Sequence, residues 1–369
     1  MTASTNPPED PARSLSTSQD LWRIKTQGGI RALSLQDTNE IQLLLRGQSV
    51  VDWHRLAFTH EDEARRLLAL NCIDIDDPVD RERLAELRAQ AVRYITEVLT
   101  LRIDPYIASE VPWVKLPLIA SRATGNRQRQ ACMLLKVMHI IYHLDARELR
   151  TQLAISEHDI YARVEESVTL MFDELRTAGV PVLEFSWSRK TRNSLITKLL
   201  IKRETSAARV FDRLRFRLIV KSPDDLVPAL HIMLRRCIPF NYIVPGQTVN
   251  TLIDLNSLAV LPRAEDSFEA SGDDDDGGGS GNEFSGSNYR ILNFVADLPV
   301  RLASVVTDGA ALDESRGRVV FVLAEFQIMD QRTAESNERG DNSHVRYKQR
   351  QHQHVRVRLL REPRTPTTG

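Results

Sequence analysis

At 369 residues, with 42% hydrophobic and 27% charged positions, the chain has the balance of a soluble globular protein and enough length for two cores. A net charge of −1 argues against wholesale coating of nucleic acid, and no apolar run reaches spanning length, so no membrane partner is expected. Three scattered cysteines, Cys72, Cys132 and Cys237, support neither a disulfide framework nor a cysteine zinc site, and a reduced cytoplasmic setting follows.

Residues 1–18 are rich in Ser, Thr and Pro, lack an apolar signal core and read as a disordered tail. Residues 19–179 read as a helical domain. Thr59 and Asp62 form a capping box ahead of Ala64 to Leu70. Asp77-Pro78 supplies a cap and first turn for a helix through Leu84, Leu87, Ala91 and Ile95 to Leu99. Further apolar segments run from Ala131 to Leu144 and from Ile160 to Leu175, and Gly179 is placed to end the last one.

The texture changes at Val180. Pro181 to Ser188 has strand character, and Thr191 to Lys202 reads as a basic helix. Phe211 to Val220 alternates Leu214, Phe216, Leu218 and Val220 with Arg213, Arg215 and Arg217, a period of two. Asp224 or Asp225 caps a helix to Arg236, and Phe240–Val244, Tyr289–Ala296 and Val319–Ile328 are further strands. A helix from Gln331 onward follows the last of them. The fold class is therefore α+β, with an N-terminal helical domain and then a mixed β-sheet domain with flanking helices over residues 180–351. Residues 265–287 form an acidic, Gly-rich loop insertion containing Asp273–Asp276, and residues 352–369 a C-terminal tail.

Charge is concentrated locally. Eleven Lys or Arg side chains lie between Arg189 and Lys221, against only Glu204 and Asp212, which suits a local anionic ligand. Lys190, Ser194 and Lys198 recur at i, i+4, i+8 and would form one helical stripe fit for a triphosphate. His344, Tyr347 and Lys348 make a second stripe at i, i+3, i+4. Glu325 and Gln327 share one face of a strand. Asp212 shares the parity of Leu214, Phe216 and Leu218 at the end of another. Two carboxylates on adjacent strand ends are what Mg²⁺ needs when phosphate oxygens complete its octahedron, so Asp212 and Glu325 are the candidate metal ligands. The parts together point to phosphoryl or pyrophosphoryl transfer. Taken singly, each motif is also an ordinary solvated surface pattern.

In this order the blocks resemble the synthetase domain of the RelA/SpoT alarmone (ppGpp) synthetases, over residues 180 to 350. Lys190-x-x-x-Ser194-x-x-x-Lys198 is similar to its basic helix, Asp212 with Arg217 to its D-x-x-x-x-R strand, and Pro245-Gly246 to its P-G turn. Tyr289, followed by Leu292, falls at the family tyrosine that stacks on the acceptor guanine. Glu325-x-Gln327 resembles the E-x-Q strand, and Glu338-x-Gly340-x-x-x-His344-x-x-Tyr347-Lys348 keeps the family spacing to its H-x-x-Y-K ending. The resemblance implies a nucleotidyltransferase-like domain in a bacterial, cytoplasmic pyrophosphokinase of the stringent response. It implies Mg²⁺-dependent transfer of pyrophosphate from ATP to the 3′-hydroxyl of GDP or GTP. Asp212 and Glu325 would hold the metal, Glu325 would serve the attacking hydroxyl, Lys190, Lys198, His344 and Lys348 would neutralise phosphate charge, and Tyr289 would stack on the base.

The chain is a divergent member of such a pattern. Met329 stands at the arginine and Asp330 at the threonine of E-x-Q-I-R-T, and Asn293 replaces the histidine of the tyrosine block. Ser287-Asn288, Asn250-Thr251-Leu252 and Arg215, at a position that is often glycine, also depart. Most changes fall on the acceptor side. Two alternatives stay open: the same chemistry on another acceptor such as a tRNA 3′ end, or a catalytically degenerate nucleotide-binding protein. The basic stretches Arg189–Arg217 and Arg346–Arg358 make an RNA acceptor physically feasible, and the pattern leaves room for a homo-oligomer. The family's hydrolase domain is not evident, and His139 and His143 read as packing on an apolar helix.

Overall fold

The computed structural model describes residues 23–26, 29–47, 53–122, 124–152, 156–201, 214–255, 258, 289–302, 317–339 and 344–360. The first half holds a hairpin, β1 (Arg23–Thr26) and β2 (Gly29–Ala32), then α1 (Leu35–Arg46), α2 (Glu61–Leu70), α3 (Pro78–Arg93), α4 (Lys115–Arg122), α5 (Asn126–Gln152) and α6 (Glu157–Thr177). The second half continues with β3 (Val182–Arg189), α7 (Arg192–Ile201), β4 (Leu214–Val220), α8 (Leu226–Arg236), β5 (Val249–Asn250), β6 (Leu292–Arg301), β7 (Val319–Asp330), α9 (Gln331–Asn337) and α10 (His344–Leu359). Among the described residues, no helix is long and apolar enough to cross a membrane.

Local chemistry explains most boundaries. Asp77 accepts a hydrogen bond from Val79 N at 2.9 Å, with Pro78 as the first helical residue of α3. At α2 the box lies one residue later than the sequence suggests. Glu63, not Asp62, receives the main-chain N–H groups of Thr59 (2.7 Å) and His60 (3.2 Å), because the helix starts at Glu61. Beyond α3 the chain winds through a π-helical turn, Tyr94–Val98, so the predicted continuation to Leu99 is helical but wider. Gly179 follows α6 with φ +84°, and its N–H bonds to Arg176 O. The hairpin, α1 and α4 are not anticipated by the sequence reading.

One predicted strand is corrected. Phe240–Tyr242 forms a 3₁₀ turn, and only Ile243 bridges to Ala296. Pro239 and Pro245 bracket the segment and cannot donate to a ladder, while Phe240 and Tyr242 are buried by the turn.

The five-stranded sheet has the order β3-β4-β7-β6-β5, with β4 and β7 parallel and every other pair antiparallel. Alternation assigns its two faces. Leu214, Phe216, Leu218, Ala324, Phe326, Ile328, Leu292 and Phe294 form the buried face. Across it runs an aromatic row: Phe172 of α6 lies 3.6 Å from Phe185, Phe216 lies 5.3 Å from Phe326, and Phe326 lies 5.2 Å from Phe294, centroid to centroid. The opposite face carries Arg215, Arg217, Glu325, Gln327, Met329 and Asn293. α5 crosses this second face near the start of β7, where Tyr142 and His143 meet Phe321 edge-on. α9 follows the end of β7. The polar residues lie between these two helices.

Candidate active site

The register of three strands builds the site. Arg215 of β4 stands opposite Glu325 of β7, which stands opposite Val295 of β6. Two residues further along, Arg217, Gln327 and Asn293 form the next row. Because neighbouring strands lie about 4.8 Å apart, side chains in one row touch. Arg215 Nε donates to Glu325 Oε2 at 2.7 Å, and Gln327 Nε2 donates to Glu325 Oε1 at 3.3 Å. The Glu325 side chain is only 10% exposed, and the guanidinium beside it is its counter-charge.

The second row is less saturated. Arg217 Nη2 donates to Glu338 Oε1 at 3.0 Å, but Arg217 Nε and Asn293 Oδ1 are buried without a hydrogen bond to any described residue. Buried polar atoms are rarely left so, and here a donor and an acceptor flank Gln327 on the same face. Beyond them Met329 packs with Ile219, Ile291 and Ala334, and Tyr289 lies against this small apolar cluster. Asn337, at the end of α9, holds the main chain beside Tyr289. Its Nδ2 donates to Arg290 O at 2.6 Å and its Oδ1 accepts from Arg290 N at 3.2 Å.

The predicted site residues fare unequally. Glu325, Gln327, Arg217 and Tyr289 come together on one face. Lys190 lies outside α7, which starts at Arg192. Thr191 takes the capping place, its Oγ1 accepting from Ser194 N at 3.4 Å. The three-residue stripe is therefore reduced to Ser194 and Lys198 on the helix, with Lys190 at the end of β3. His344 and Lys348 fall in the first turns of α10, which packs alongside α7, and Lys348 is exposed. The side chains of Lys198, His344 and Tyr347 lie outside the described set, as do Gly340, Asp212 and the acidic loop.

Mg²⁺ requires oxygen ligands at about 2.1 Å with near-ideal octahedral geometry. Around Glu325 the described residues offer one carboxylate with both oxygens already taken by N–H donors. That donor set does not fit a divalent ion bound directly to Glu325. His139, His143 and Asp145 share no centre either. His143 Nε2 meets Asp297 Oδ2 at 2.7 Å, Asp145 pairs with Arg83, and the His139 ring lies tilted with its centroid 4.5 Å from that of Tyr242. Burial, then the neighbouring His143, pushes His139 down to about 4.

Sequence reasoning missed two residues of this site. Arg215 was visible as one beat of an alternating arginine pattern and as a departure from a position that is often glycine, with no role attached. Asn337 gave no signal at all, being a lone amide inside a polar run.

No protein-family model matches the chain, and no curated protein does. Comparison with solved structures does return matches. Its likeness there is to alarmone synthetases. Small alarmone synthetase 2 from Bacillus subtilis is 16% identical, with a TM-score of 0.31 over 55% of this chain and 88% of that one. Small alarmone synthetase 1 from Bacillus subtilis, bound to its product pppGpp, is 14% identical, with a TM-score of 0.30 over 54% and 88%. A GTP pyrophosphokinase family protein from Streptococcus pneumoniae is 16% identical, with a TM-score of 0.30 over 54% and 83%.

Proposed function

We propose that the chain binds a nucleoside triphosphate on the polar face of its sheet and transfers the pyrophosphoryl group to the 3′-hydroxyl of a guanine nucleotide. One observation carries this reading: two adjacent rows, Arg215–Glu325 and Arg217–Gln327–Asn293, put guanidinium groups, a carboxylate and amides on one face, with Tyr289 at its edge. Polyphosphate chemistry needs fixed cationic donors for the transferring group and an acceptor for the attacking hydroxyl. In the proposed step the acceptor's 3′-oxygen bonds to the β-phosphorus of ATP, the bond from that phosphorus to the α-phosphate bridge breaks, and AMP leaves. In this reading Glu325, once a donor withdraws, accepts the hydroxyl's hydrogen bond, Arg217 with the cations of the two basic sequence stripes serves the phosphate oxygens, and Tyr289 serves the acceptor base. Mg²⁺ belongs to the proposal as the counter-ion of the nucleotide's phosphates.

A second reading keeps the chemistry and makes the acceptor an RNA 3′ end. It draws on α10, which lies beside α7 and has no acidic residue from His344 to Leu360. One assay separates these readings from a binding-only protein. The chain is incubated with Mg²⁺, labelled ATP and GDP, GTP or tRNA in turn, and AMP is measured. AMP is expected with a guanine nucleotide, and Glu325→Gln should lower its release by about 10² or more. AMP with tRNA alone would select the second reading. No AMP with any acceptor would remove the catalytic one.

A further inference from the structure

Glu325 is enclosed by its own neighbours. Arg215 covers one oxygen at 2.7 Å, the Gln327 amide approaches the other at 3.3 Å, and Val295 stands opposite on β6. The pairing is set by strand register, not by a chance meeting of long side chains, because Arg215 and Glu325 are direct partners in the parallel ladder. Exposure is unequal. The carboxylate is 10% exposed and the arginine 30%. The carboxylate is thus the more enclosed member of the pair and the guanidinium the more solvent-accessible.

We propose that Arg215 is the resident cation of this site, occupying the Glu325 carboxylate in the free protein and keeping divalent metal ions off it. A metal ion reaching Glu325 has to displace a charge-assisted hydrogen bond and then sit beside a second positive group. The guanidinium is also shaped to take two phosphate oxygens at once. A polyphosphate is therefore the ligand able to draw Arg215 away. In the free protein the register itself thus keeps Glu325 paired with a guanidinium and not with a metal ion. This inference rests on Glu325 being the carboxylate of the proposed site, and it does not require that the reaction occur.

The test is Mn²⁺ binding to the full chain without nucleotide, read from the electron paramagnetic resonance of the free ion. Arg215→Ala and Arg215→Gln should each bind Mn²⁺ roughly 10–100-fold more tightly than the wild type, the usual size of effects from groups contacting a metal ligand. Arg215→Lys, which keeps the charge, should stay near the wild type. Adding Glu325→Gln to either neutral variant should abolish the gain. Arg215→Gln preserves most of the side chain's bulk and decides the matter if the alanine variant does not fold. Wild-type binding as tight as in the neutral variants, or a gain that survives Glu325→Gln, overturns the proposal. If these arms behave as stated and no AMP is released, the reaction fails and Arg215 keeps its role. AMP release with unchanged Mn²⁺ affinity does the reverse.

Discussion

Asn337 is a small residue with a large positional effect. Its amide grips both the N–H and the C=O of Arg290, one residue from Tyr289, while Arg290 itself reaches back to Thr251 O. Asn337→Ala would leave two main-chain groups of a half-buried segment unpaired. A loss of about 1–3 kcal/mol is expected by denaturant melt, with weakened binding of the acceptor nucleotide if Tyr289 is its stacking platform. An unchanged melting midpoint would show that solvent replaces the amide. Met329 and Asp330 are explained at the same scale. Met329 is buried with Ile219, Ile291 and Ala334, apolar neighbours that suit a thioether better than a guanidinium. Asp330 caps α9, its Oδ1 accepting from Thr333 N at 3.0 Å. Both substitutions serve packing and capping around the site, which is why residue type alone could not assign them.

At the scale of elements, α1 is docked by a buried charge network. Asp37 faces Arg235 at 2.9 Å and His231 at 3.3 Å, and Glu40 faces Arg66 at 3.3 Å while accepting from Gln36 at 2.7 Å. Burial alone would raise the Asp37 carboxyl, but His231 beside it, a hydrogen bond from Ser34 and the charge of Arg235 hold it well below the usual range. Glu40 goes the other way. Burial, only partly offset by Arg66 and Gln36, pushes it up to about 7. A folded value above the unfolded one means that its contribution to stability is fully present below the unfolded value of 4.5 and lost as pH rises through about 7. Stability should therefore fall by roughly 1 kcal/mol per pH unit from this group between those limits. Glu40→Gln should flatten that slope in melts at pH 5, 6 and 7, and an unaltered slope would place the proton elsewhere. The buried network was illegible in the sequence because its members sit on α1, α2 and α8, far apart along the chain. Glu325 and Gln327 were legible because a period of two needs only one strand to be read. The Phe240–Val244 segment shows the limit of that rule: its apolar residues suited a strand, and flanking prolines made it a turn.

For the whole molecule, one polar join between the first half and the sheet is Arg301. From the end of β6 it donates to Asp80 at 2.6 and 3.1 Å, to Asp77 at 3.1 Å and to Cys72 O at 2.9 Å, thereby tying the start of α3 to the sheet. Asp80 is nearly buried, so Arg301→Ala should cost about 2–3 kcal/mol and let the two halves melt less cooperatively by calorimetry. A single transition at the wild-type midpoint would mean that the apolar contacts suffice. The order of elements was largely readable from sequence; their pairing was not, since the parallel partnership of β4 with β7 leaves no local trace. That partnership also sets a clock. Arg215 and Glu325 are 110 residues apart, so at ordinary synthesis rates the carboxylate emerges roughly 5–20 s after the guanidinium that will hold it. Until β7 is made, β4 presents its arginines to the cell with no internal partner at Glu325, and a nascent chain stalled in that interval would carry a basic strand open to any polyanion nearby.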